Sequence, residues 1–386
     1  MGRIGFRGGH RVGRSLSVAM LIQEYYPHVG GAEQQIAKLA PRLQALGIDL
    51  TVITRRYGNL KSFEEIGDVP VYRVFVPGSR SLRSISYSLN ALALIRLMQP
   101  NIVHAHGLQS PATTAALAKR LFHVPSVAKS LRGGSLGDVS RIKSSRLSQR
   151  RIRFLSKHID NFISISNEID CEFEDIGIPQ IKRYFIPNGV DIDRFTPLPT
   201  NQRIEVVRDL GLEDGLHAVF AGRFVPEKNL DLLVRAWSDV RKRIPQAKLL
   251  LIGSGEEENK LKSLAGNGVE FVGRVDNVLT YLQVADLFLL PSSAEGLSNA
   301  LLEAMSVGLP IISTNVGGAA DLITNGENGW LIQPDSSKEL VDSVVSVFSD
   351  QQNSRNVGLK ARMTVTQSYS LDLVADQLSK LYHGLL

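Results

Sequence analysis

The sequence has very little of what a secreted, disulfide-stabilised or membrane-spanning protein would need. Only one of its 386 residues is cysteine, Cys171, so no internal disulfide can form and a reducing cytoplasm is favoured. No apolar run reaches the roughly 18 residues that a membrane-spanning helix requires. Residues 1–17 carry four arginines and no acid, and they lack the apolar centre of a secretion signal. We expect this segment to be a basic, disordered N-terminal arm.

Acidic residues are scarce in the first half of the chain. Residues 1–200 hold 27 Lys and Arg against 15 Asp and Glu, whereas residues 201–386 hold 17 against 23. This asymmetry indicates that the first half meets something anionic, and nucleic acid, an acidic membrane surface and a phosphorylated substrate are all open at this point. Because no recognised nucleic-acid-binding module accompanies the charge, we expect no nucleic-acid partner.

Short apolar runs alternate with longer segments of helical period along the whole chain. This alternation predicts an α/β protein with parallel sheets and crossover helices. We expect strands at residues 18–23, 49–54, 71–76, 102–105, 126–129 and 162–166, and again at 218–221, 248–252, 269–272, 287–290, 311–313 and 330–332. We expect helices at residues 33–46, 112–122, 230–243, 256–264 and 337–348.

Residues 187–200 separate the two halves, because they contain three prolines, an Asn-Gly turn pair and little apolar periodicity. Two doubly wound, Rossmann-like domains are therefore predicted, at residues 18–196 and 197–366. Such sheets bind ligands at the carboxyl ends of their strands, so a cleft between two of them suits an enzyme with two substrates.

The segment from 286 to 315 has only three charged residues, Asp286, Glu295 and Glu303. Glu303 has apolar neighbours on both sides, and a buried carboxylate costs several kcal/mol unless it is hydrogen-bonded. Sugar hydroxyls are suitable donors. Glu295 precedes Gly296 at a predicted strand-to-helix turn that faces the cleft. On spacing alone, a solvent-facing Glu303 and a turn-capping Glu295 remain equally open.

Seven residues separate Glu295 and Glu303 within the segment PSSAEGLSNALLEAMSVGLP. This segment resembles the E-x7-E signature of the retaining GT-B glycosyltransferases, specifically glycosyltransferase family four, and residues 315–318 and 325–330 continue the family pattern. The resemblance extends from about Val18 to the C-terminus. It implies two Rossmann-like domains facing across a cleft and a C-terminal helix, residues 367–386, that crosses back to the first domain. It also implies transfer of a sugar from a nucleotide diphosphate donor, with Glu295 on the sugar hydroxyls and Glu303 on the ribose hydroxyls.

Two cations, Arg223 and Lys228, lie in the segment FAGRFVPEKN between a predicted strand and helix. Cations beside a helix N-terminus make a site for a diphosphate and stabilise the charge that develops on the leaving group. Two solvated loop cations are the alternative. The resemblance aligns the pair with the family's diphosphate-binding Arg and Lys, although Asn229 stands where relatives often have glycine.

Further donor-binding residues follow from glycine placement and from the resemblance. Gly30 and Gly31 precede a helix and allow close approach of a ligand to backbone, as the family's glycine loop does for the donor phosphates. His106 ends a strand and matches the family's histidine against the donor sugar, whereas His104 is interpreted as structural. The remaining predicted donor-binding positions are Gly273, Arg274 and Val275 for the base, and Gly296, Leu297, Ser298 and Asn299 beside Glu295. Arg132, Gly133 and Gly134 follow another strand end and are predicted to line the acceptor side.

Asp191 and Asp193 spell the D-x-D that binds manganese in the other main glycosyltransferase fold. Here they lie in a string that resembles this family's interdomain turn, so we expect no metal cofactor, with Arg223 and Lys228 supplying the charge instead. The resemblance implies a retaining front-face substitution, and a UDP-sugar is the favoured donor. A nucleotide-sugar epimerase of the same architecture and a non-catalytic nucleotide-sugar-binding module are the alternatives.

Residues 141–157 are rich in Lys and Arg and contain no acid, with apolar residues interleaved. The pattern predicts a partly amphipathic basic helix whose Arg146, Arg150, Arg151 and Arg153 face an anionic membrane. A solvated basic helix face is the alternative. The hypothesis is a cytoplasmic enzyme, peripheral on the membrane, that acts on a lipid-linked or otherwise anionic hydroxyl acceptor in surface polysaccharide or glycolipid synthesis.

Overall fold

The computed structural model describes residues 15–28 and 30–386, except for the side chains of Arg80, Ser81 and Thr200. Most of the predicted N-terminal arm, residues 1–14, therefore lies outside the described residues. Residue 29, in the predicted glycine loop, lies outside them too.

The first half of the chain forms a sheet of eight strands with the order β3-β4-β2-β1-β5-β6-β7-β8, in which only the β3–β4 pair is antiparallel. The strands are β1 (Leu16–Leu21), β2 (Ile48–Arg55), β3 (Phe63–Ile66), β4 (Val69–Val74), β5 (Ile102–His106), β6 (Ser126–Lys129), β7 (Asn161–Ser164) and β8 (Arg183–Phe185). The helices are α1 (Gly31–Ala45), α2 (Arg80–Met98), α3 (Ser110–Phe122), α4 (Asp138–Lys143), α5 (Ser148–His158) and α6 (Asn167–Asp175).

The second half forms a six-stranded parallel sheet with the order β11-β10-β9-β12-β13-β14. Its strands are β9 (Leu216–Ala221), β10 (Ala247–Ile252), β11 (Val269–Gly273), β12 (Leu287–Leu290), β13 (Ile311–Thr314) and β14 (Trp330–Ile332). Its helices are α7 (Thr200–Asp209), α8 (Leu230–Arg243), α9 (Glu258–Leu264), α10 (Val278–Val284), α11 (Asn299–Val307), α12 (Gly317–Leu322) and α13 (Ser337–Ser349). Two further helices, α14 (Gln351–Ser368) and α15 (Leu371–His383), end the chain.

The sheet interiors explain why the strand predictions hold. The central strand β1 is buried on both faces: Val18 and Met20 belong to one apolar core, and Ala19 and Leu21 belong to the other. A strand covered on both faces is a nearly continuous apolar run, as parallel sheets require. Helices α2, α3 and α5 cover one face of this sheet, whereas α1 and α15 cover the opposite face. The predicted doubly wound architecture is confirmed.

Helix α15 returns from the second half of the chain and packs against α1. Tyr382 is fully buried in the core that α15 shares with α1 and β1. A parallel bridge between Val190 and Ser370 precedes this helix. Helix α15 therefore packs on the first domain.

Two strands were missed in the sequence, for the same reason. β3 and β8 are the outermost strands of the first sheet, β3 contains two glutamates, and both strands are partly exposed. An edge strand with one neighbour does not need an apolar run, so it leaves little signal in the sequence.

The prediction of one basic helix over residues 141–157 is wrong. Two helices, α4 and α5, occupy this stretch, and Arg146 lies in the turn between them. In that turn the Ser144 hydroxyl donates to the carbonyl of Arg141, and the Ser145 amide donates to the carbonyl of Ile142. The Ser144 side chain competes for a backbone carbonyl in this way, which favours the end of a helix.

Arg151 does not face outward, which corrects its assignment to a membrane-facing surface. Its guanidinium donates to the carbonyl of Leu108 at 2.9 Å and to the hydroxyl of Thr113 at 3.2 Å. The side chain therefore ties α5 to the start of α3. Arg146, Arg150 and Arg153 are exposed.

Candidate active site

The carboxyl ends of β9 and β12 form the topological switch point of the second sheet. From β9 the chain runs outward to β10 and β11, and then returns to lay β12 on the other side. Such a reversal leaves a crevice between the two loops that leave the central strands. The loop after β9 carries Arg223 and Lys228, and the loop after β12 carries Glu295 and Gly296.

Lys228 and Glu295 meet across this crevice. The Nζ atom of Lys228 lies 2.7 Å from Oε2 of Glu295, and both side chains are 15% exposed. The Ser293 amide also donates to the carbonyl of Glu227, which ties the two loops together. The structure thus brings together a cation and a carboxylate that the sequence assigns to different parts of one ligand.

Helix α11 carries the second glutamate, and its ends are fixed by local chemistry. The hydroxyl of Ser298 accepts from the amide of Leu301 as an N-cap, and Gly308 ends the helix in a left-handed conformation before Pro310. The helix is buried almost throughout, and Glu303 is 7% exposed. The interpretation of Glu303 as a solvent-facing charge is therefore excluded.

Glu303 takes its hydrogen bond from the other domain. The Nζ atom of Lys38, on α1, donates to Oε1 of Glu303 at 2.6 Å. The same ammonium lies 5.6 Å from the ring centroid of Phe195, in the segment that joins the domains. Lys38 therefore neutralises a carboxylate that would otherwise be buried without a partner.

The turn that precedes α11 touches the first domain directly. A Cβ atom added to Gly296 would lie 2.3 Å from the carbonyl oxygen of Leu131, so only glycine permits this approach. The side-chain amide of Asn299 donates to the carbonyl of Gly31 at 3.0 Å. The predicted sugar-binding turn and the predicted glycine loop therefore face each other across the cleft.

The first sheet has its own switch point, between β1 and β5. Gly30 and Gly31 follow β1, and His106 ends β5. In the first turn of α1, burial raises the pKa of the Glu33 carboxyl, while hydrogen bonds from backbone amides and the positive charge of Arg223 oppose that rise. The Arg223 side chain is itself exposed. We call the space between the two switch points the donor cleft.

The two histidines of β5 stack on each other, with ring centroids 4.4 Å apart. His104 is fully buried, and its Nδ1 atom lies 2.6 Å from the hydroxyl of Tyr382, in agreement with the structural role expected for it. His106 is 6% exposed, and its Nε2 atom lies 3.1 Å from the sulfur of Met20. Burial, with nearby His104 and Lys129, lowers the pKa of His106 well below its ordinary value. This ring is therefore neutral at neutral pH.

The predicted acceptor loop is held between carboxylates. Arg132 lies 3.0 Å from Oε1 of Glu227, which belongs to the loop after β9 of the other domain. The amide of Gly134 donates to Glu172 at 2.7 Å. Burial raises the pKa of the Glu172 carboxyl to about 7. Gly133 packs closely against Glu168, so this rim of the cleft has acidic neighbours.

The predicted base-binding residues lie farther from the crevice. Gly273 ends β11, at the edge of the second sheet and two strands from β9, in a left-handed conformation with φ of +81°. Its carbonyl accepts from the amide of Gly253 at the end of β10. Arg274 is exposed, and Val275 packs against the core. The structure does not bring these residues into contact with Lys228 or Glu295.

In the D-x-D motif, Asp191 is bound by protein groups, whereas Asp193 is exposed. Asp191 accepts from Arg42 at 3.0 Å and from the amide of Arg194 at 3.1 Å. These hydrogen bonds outweigh burial and hold the pKa of Asp191 below its usual range. Within residues 15–28 and 30–386, no three or more His, Cys, Asp or Glu side chains lie together as metal ligands would.

A buried polar network that the sequence did not predict links the domains beneath the donor cleft. Lys129 Nζ donates to Oδ1 of Asn188 at 3.1 Å, and the Asn188 amide donates to the carbonyl of Leu297 at 2.9 Å. Gln35 donates to Oδ1 of Asn299 at 2.9 Å. Burial lowers the pKa of Lys129 to about 8. A lysine that ends a fully buried strand was a visible signal for this network, since charged residues are rarely buried without a partner.

Comparisons with known proteins agree with this geometry. Residues 29–194 match the family Glycosyltransferase Family 4, and residues 215–350 match Glycosyl transferases group 1. A GDP-mannose-dependent alpha-(1-6)-phosphatidylinositol monomannoside mannosyltransferase of Mycobacterium tuberculosis is 26% identical over 383 residues, which cover 95% of this chain and 98% of the relative. A UDP-Gal:alpha-D-GlcNAc-diphosphoundecaprenol alpha-1,3-galactosyltransferase of Escherichia coli is 27% identical over 351 residues, which cover 86% and 88%. The structure of Anabaena Alr3699/HepE with UDP-glucose shares the fold, with a TM-score of 0.81 at 20% identity over 96% of this chain and all of that one.

Proposed function

The chain belongs to glycosyltransferase family four, the group 1 glycosyltransferases with the GT-B fold, and from this premise we propose a retaining, metal-independent hexosyl transfer. The donor is a nucleotide diphosphate sugar, and the acceptor is a hydroxyl group. One observation carries the proposal. Lys228 and Glu295 form an ion pair at the switch point of the second sheet, where a ligand of an open α/β sheet binds.

Each of these residues is proposed to bind a different part of the donor. Lys228 and Arg223 bind the diphosphate, Glu295 accepts from the sugar hydroxyls, and Glu303 accepts from the ribose hydroxyls. The glycine loop and the N-terminus of α11 offer further backbone amides to the phosphates. Gly273, Arg274 and Val275 bind the base, and neutral His106 lies below the sugar.

The reaction proceeds by substitution on one face of the anomeric carbon. The bond from the anomeric carbon to the phosphate oxygen breaks, and a bond to the acceptor oxygen forms on the same face. The acceptor proton passes to the departing phosphate oxygen, so no separate base is needed. Lys228 and Arg223 stabilise the negative charge that develops on the leaving group, in the role that a metal ion plays in other enzymes.

The acceptor is proposed to be lipid-linked and to belong to polysaccharide or glycolipid synthesis. By their names, the mycobacterial relative acts on a phosphatidylinositol mannoside and the Escherichia coli relative acts on a diphosphoundecaprenol sugar. Arg132, Gly133 and Gly134 lie on the acceptor side. The carboxyl groups of Glu168 and Glu172 beside this loop are suitable hydrogen-bond partners for hydroxyl groups at the reacting end of the acceptor.

A donor screen tests this proposal. The purified full chain is incubated with UDP-, GDP- and ADP-sugars, with UDP-glucose, UDP-galactose and GDP-mannose included, and release of nucleoside diphosphate is measured. We expect one donor class to be hydrolysed slowly; a UDP-sugar is the favoured donor and GDP-mannose is the next. NMR should show that the released sugar initially keeps the anomeric configuration of the donor. Inversion overturns the mechanism. Epimerisation of the donor without release supports the epimerase alternative, and binding without turnover supports a binding module.

A further inference from the structure

Helix α2 exposes a row of large apolar side chains. Leu82, Ile85, Leu89 and Leu97 are 56%, 58%, 64% and 58% exposed. Their spacing puts them on one side of the helix, over a length of roughly 22 Å. We call these four residues the α2 stripe.

The α2 stripe is not needed to hold the helix on the sheet. Tyr87, Ala91 and Ile95 cover the opposite side of α2 and are fully or almost fully buried in the core. A single exposed leucine is ordinary, but four large exposed apolar side chains on one side of a helix that already buries its other face mark an interaction surface.

The chain segment that contains α2, α3 and α5 is basic and contains almost no acid. Residues 69–159 hold fifteen Lys and Arg and one acidic residue, Asp138, which is itself 7% exposed. Helix α3 packs between α2 and α5, so the outer sides of α2 and α5 belong to the same layer. On that layer Arg150 and Arg153 are exposed, and Leu147 is 60% exposed beside them.

We propose that the α2 stripe and the exposed arginines of α5 dock the protein on an anionic lipid bilayer. The stripe enters the boundary between head groups and acyl chains, with α2 lying in the plane of the membrane, while Arg150 and Arg153 attract the anionic head groups. No helix in the described part of the chain has the length and apolarity to cross a bilayer, so the attachment is interfacial. This placement moves the membrane contact from α5 alone, where the sequence suggested it, to α2.

Charge favours a membrane over a second copy of the chain as the partner that covers the α2 stripe. A symmetric dimer through the α2 stripe would bring the same basic layer of two chains together. Asp138 is buried, no other acid lies between residues 69 and 159, and the next acid, Asp160, already pairs with Lys119 of α3 at 3.0 Å. An anionic leaflet instead supplies the missing negative charge.

Helix α2 begins at the carboxyl edge of the first sheet, which is also the edge of the donor cleft. If the proposed function holds, docking here presents a lipid-linked acceptor beside the cleft.

Co-sedimentation with vesicles tests the proposal without any sugar substrate, so its outcome is independent of the donor screen. The full chain is mixed with vesicles of equal phosphatidylcholine and phosphatidylglycerol, and with vesicles of phosphatidylcholine alone. We expect the wild type to sediment with the anionic vesicles and to be released by salt. The double variant Ile85→Gln/Leu89→Gln should bind at least tenfold more weakly, and Arg150→Gln/Arg153→Gln should bind about tenfold more weakly to anionic vesicles only.

A matched control lies on the second domain. Leu359 and Met363, on α14, are 56% and 57% exposed, and Leu359→Gln/Met363→Gln should bind vesicles like the wild type. All variants should keep the wild-type melting temperature within a few degrees. Three results overturn the proposal: wild type that stays in the supernatant at low salt, an α2 variant that sediments normally, or a wild-type dimer that the α2 variant converts to a monomer without any vesicle binding.

Discussion

The Nζ atom of Lys38 lies 2.6 Å from Oε1 of Glu303, and this contact joins the first helix of the first domain to α11 of the second. The Glu303 side chain is 9% exposed and that of Lys38 is 24% exposed. The carboxylate that we assign to the donor ribose is thus held by a cation from the opposite side of the cleft. Lys38 therefore orients the Glu303 carboxylate from the opposite domain.

Lys38→Met should weaken nucleoside diphosphate binding about tenfold, because Glu303 would lose a charge-assisted hydrogen bond in a buried place. The melting temperature should also fall by several degrees. Isothermal titration calorimetry with UDP and GDP measures the affinity. Lys380→Met is the matched control, since Lys380 forms an ion pair with Asp376 in which both side chains are exposed. Unchanged affinity in Lys38→Met would show that the Lys38–Glu303 pair does not contribute to nucleoside diphosphate binding.

Lys228→Met should lower kcat/KM at least 100-fold, because the leaving diphosphate would lose a cation in a water-poor crevice. Lys228→Arg should retain part of the activity, since it keeps the charge next to Glu295. The measurement is nucleoside diphosphate release with the donor found in the screen. Lys242→Met removes a cation from an exposed pair with Asp239 and should leave kcat/KM unchanged. Wild-type turnover in Lys228→Met would disprove the leaving-group assignment.

The stability of the protein should report the titration of Lys129. Burial lowers the pKa of its ammonium to about 8, against about 10.4 in an unfolded chain. Between these values the unfolded chain holds a proton that the folded protein has released, so this group makes the free energy of unfolding rise with pH. The gain is about 3 kcal/mol at most.

We therefore expect wild type to gain stability relative to Lys129→Met as the pH increases from 8 to about 10. Urea unfolding of both proteins at each pH measures the difference, and groups common to both cancel. A difference that does not change with pH would show that Lys129 is ionised to the same extent in both states.

Activity should survive excess EDTA, because protein side chains neutralise the diphosphate in the proposed site. Asp191→Asn should leave turnover unchanged and lower stability by about 1 kcal/mol, since Asp191 pairs with Arg42 and caps the turn at Arg194. Loss of activity in EDTA with recovery on added Mn²⁺ would instead assign Asp191 and Asp193 to a metal.

The ion pair between Arg132 and Glu227 spans the cleft at 3.0 Å with partly exposed side chains, 26% and 17%. Arg132→Gln and Glu227→Gln should each raise the KM for the donor a few-fold by weakening closure. A double-mutant cycle on KM should give a coupling of about 1 kcal/mol. Additive effects would mean that the two residues act separately on the substrates.

Local sequence was sufficient wherever the deciding property is itself local. The apolar run of β1 and the helical period of α8 predicted these elements because burial and periodicity act over a few residues. The spacing of Glu295 and Glu303 identified the family for the same reason. The edge strands β3 and β8 were not predicted from the sequence, because their stability depends on a neighbouring strand. The roles of the donor-binding residues and the exact domain bounds stay predictions.

Only the tertiary structure decided which residues meet. Lys38 and Glu303 are 265 positions apart, and Gly31 and Asn299 are 268 apart, so no local pattern could pair them. Arg150 and Arg151 are adjacent, yet Arg150 is exposed and Arg151 is hydrogen-bonded at the start of α3. Neighbouring side chains on a helix point about 100° apart, so when α5 packs on α3 only Arg151 faces inward. The sequence determined two sheets and a transferase signature. The contact of the two domains determined which partner each charge in the cleft has, because ion pairs form between side chains that are close in space, however far apart they are in the sequence.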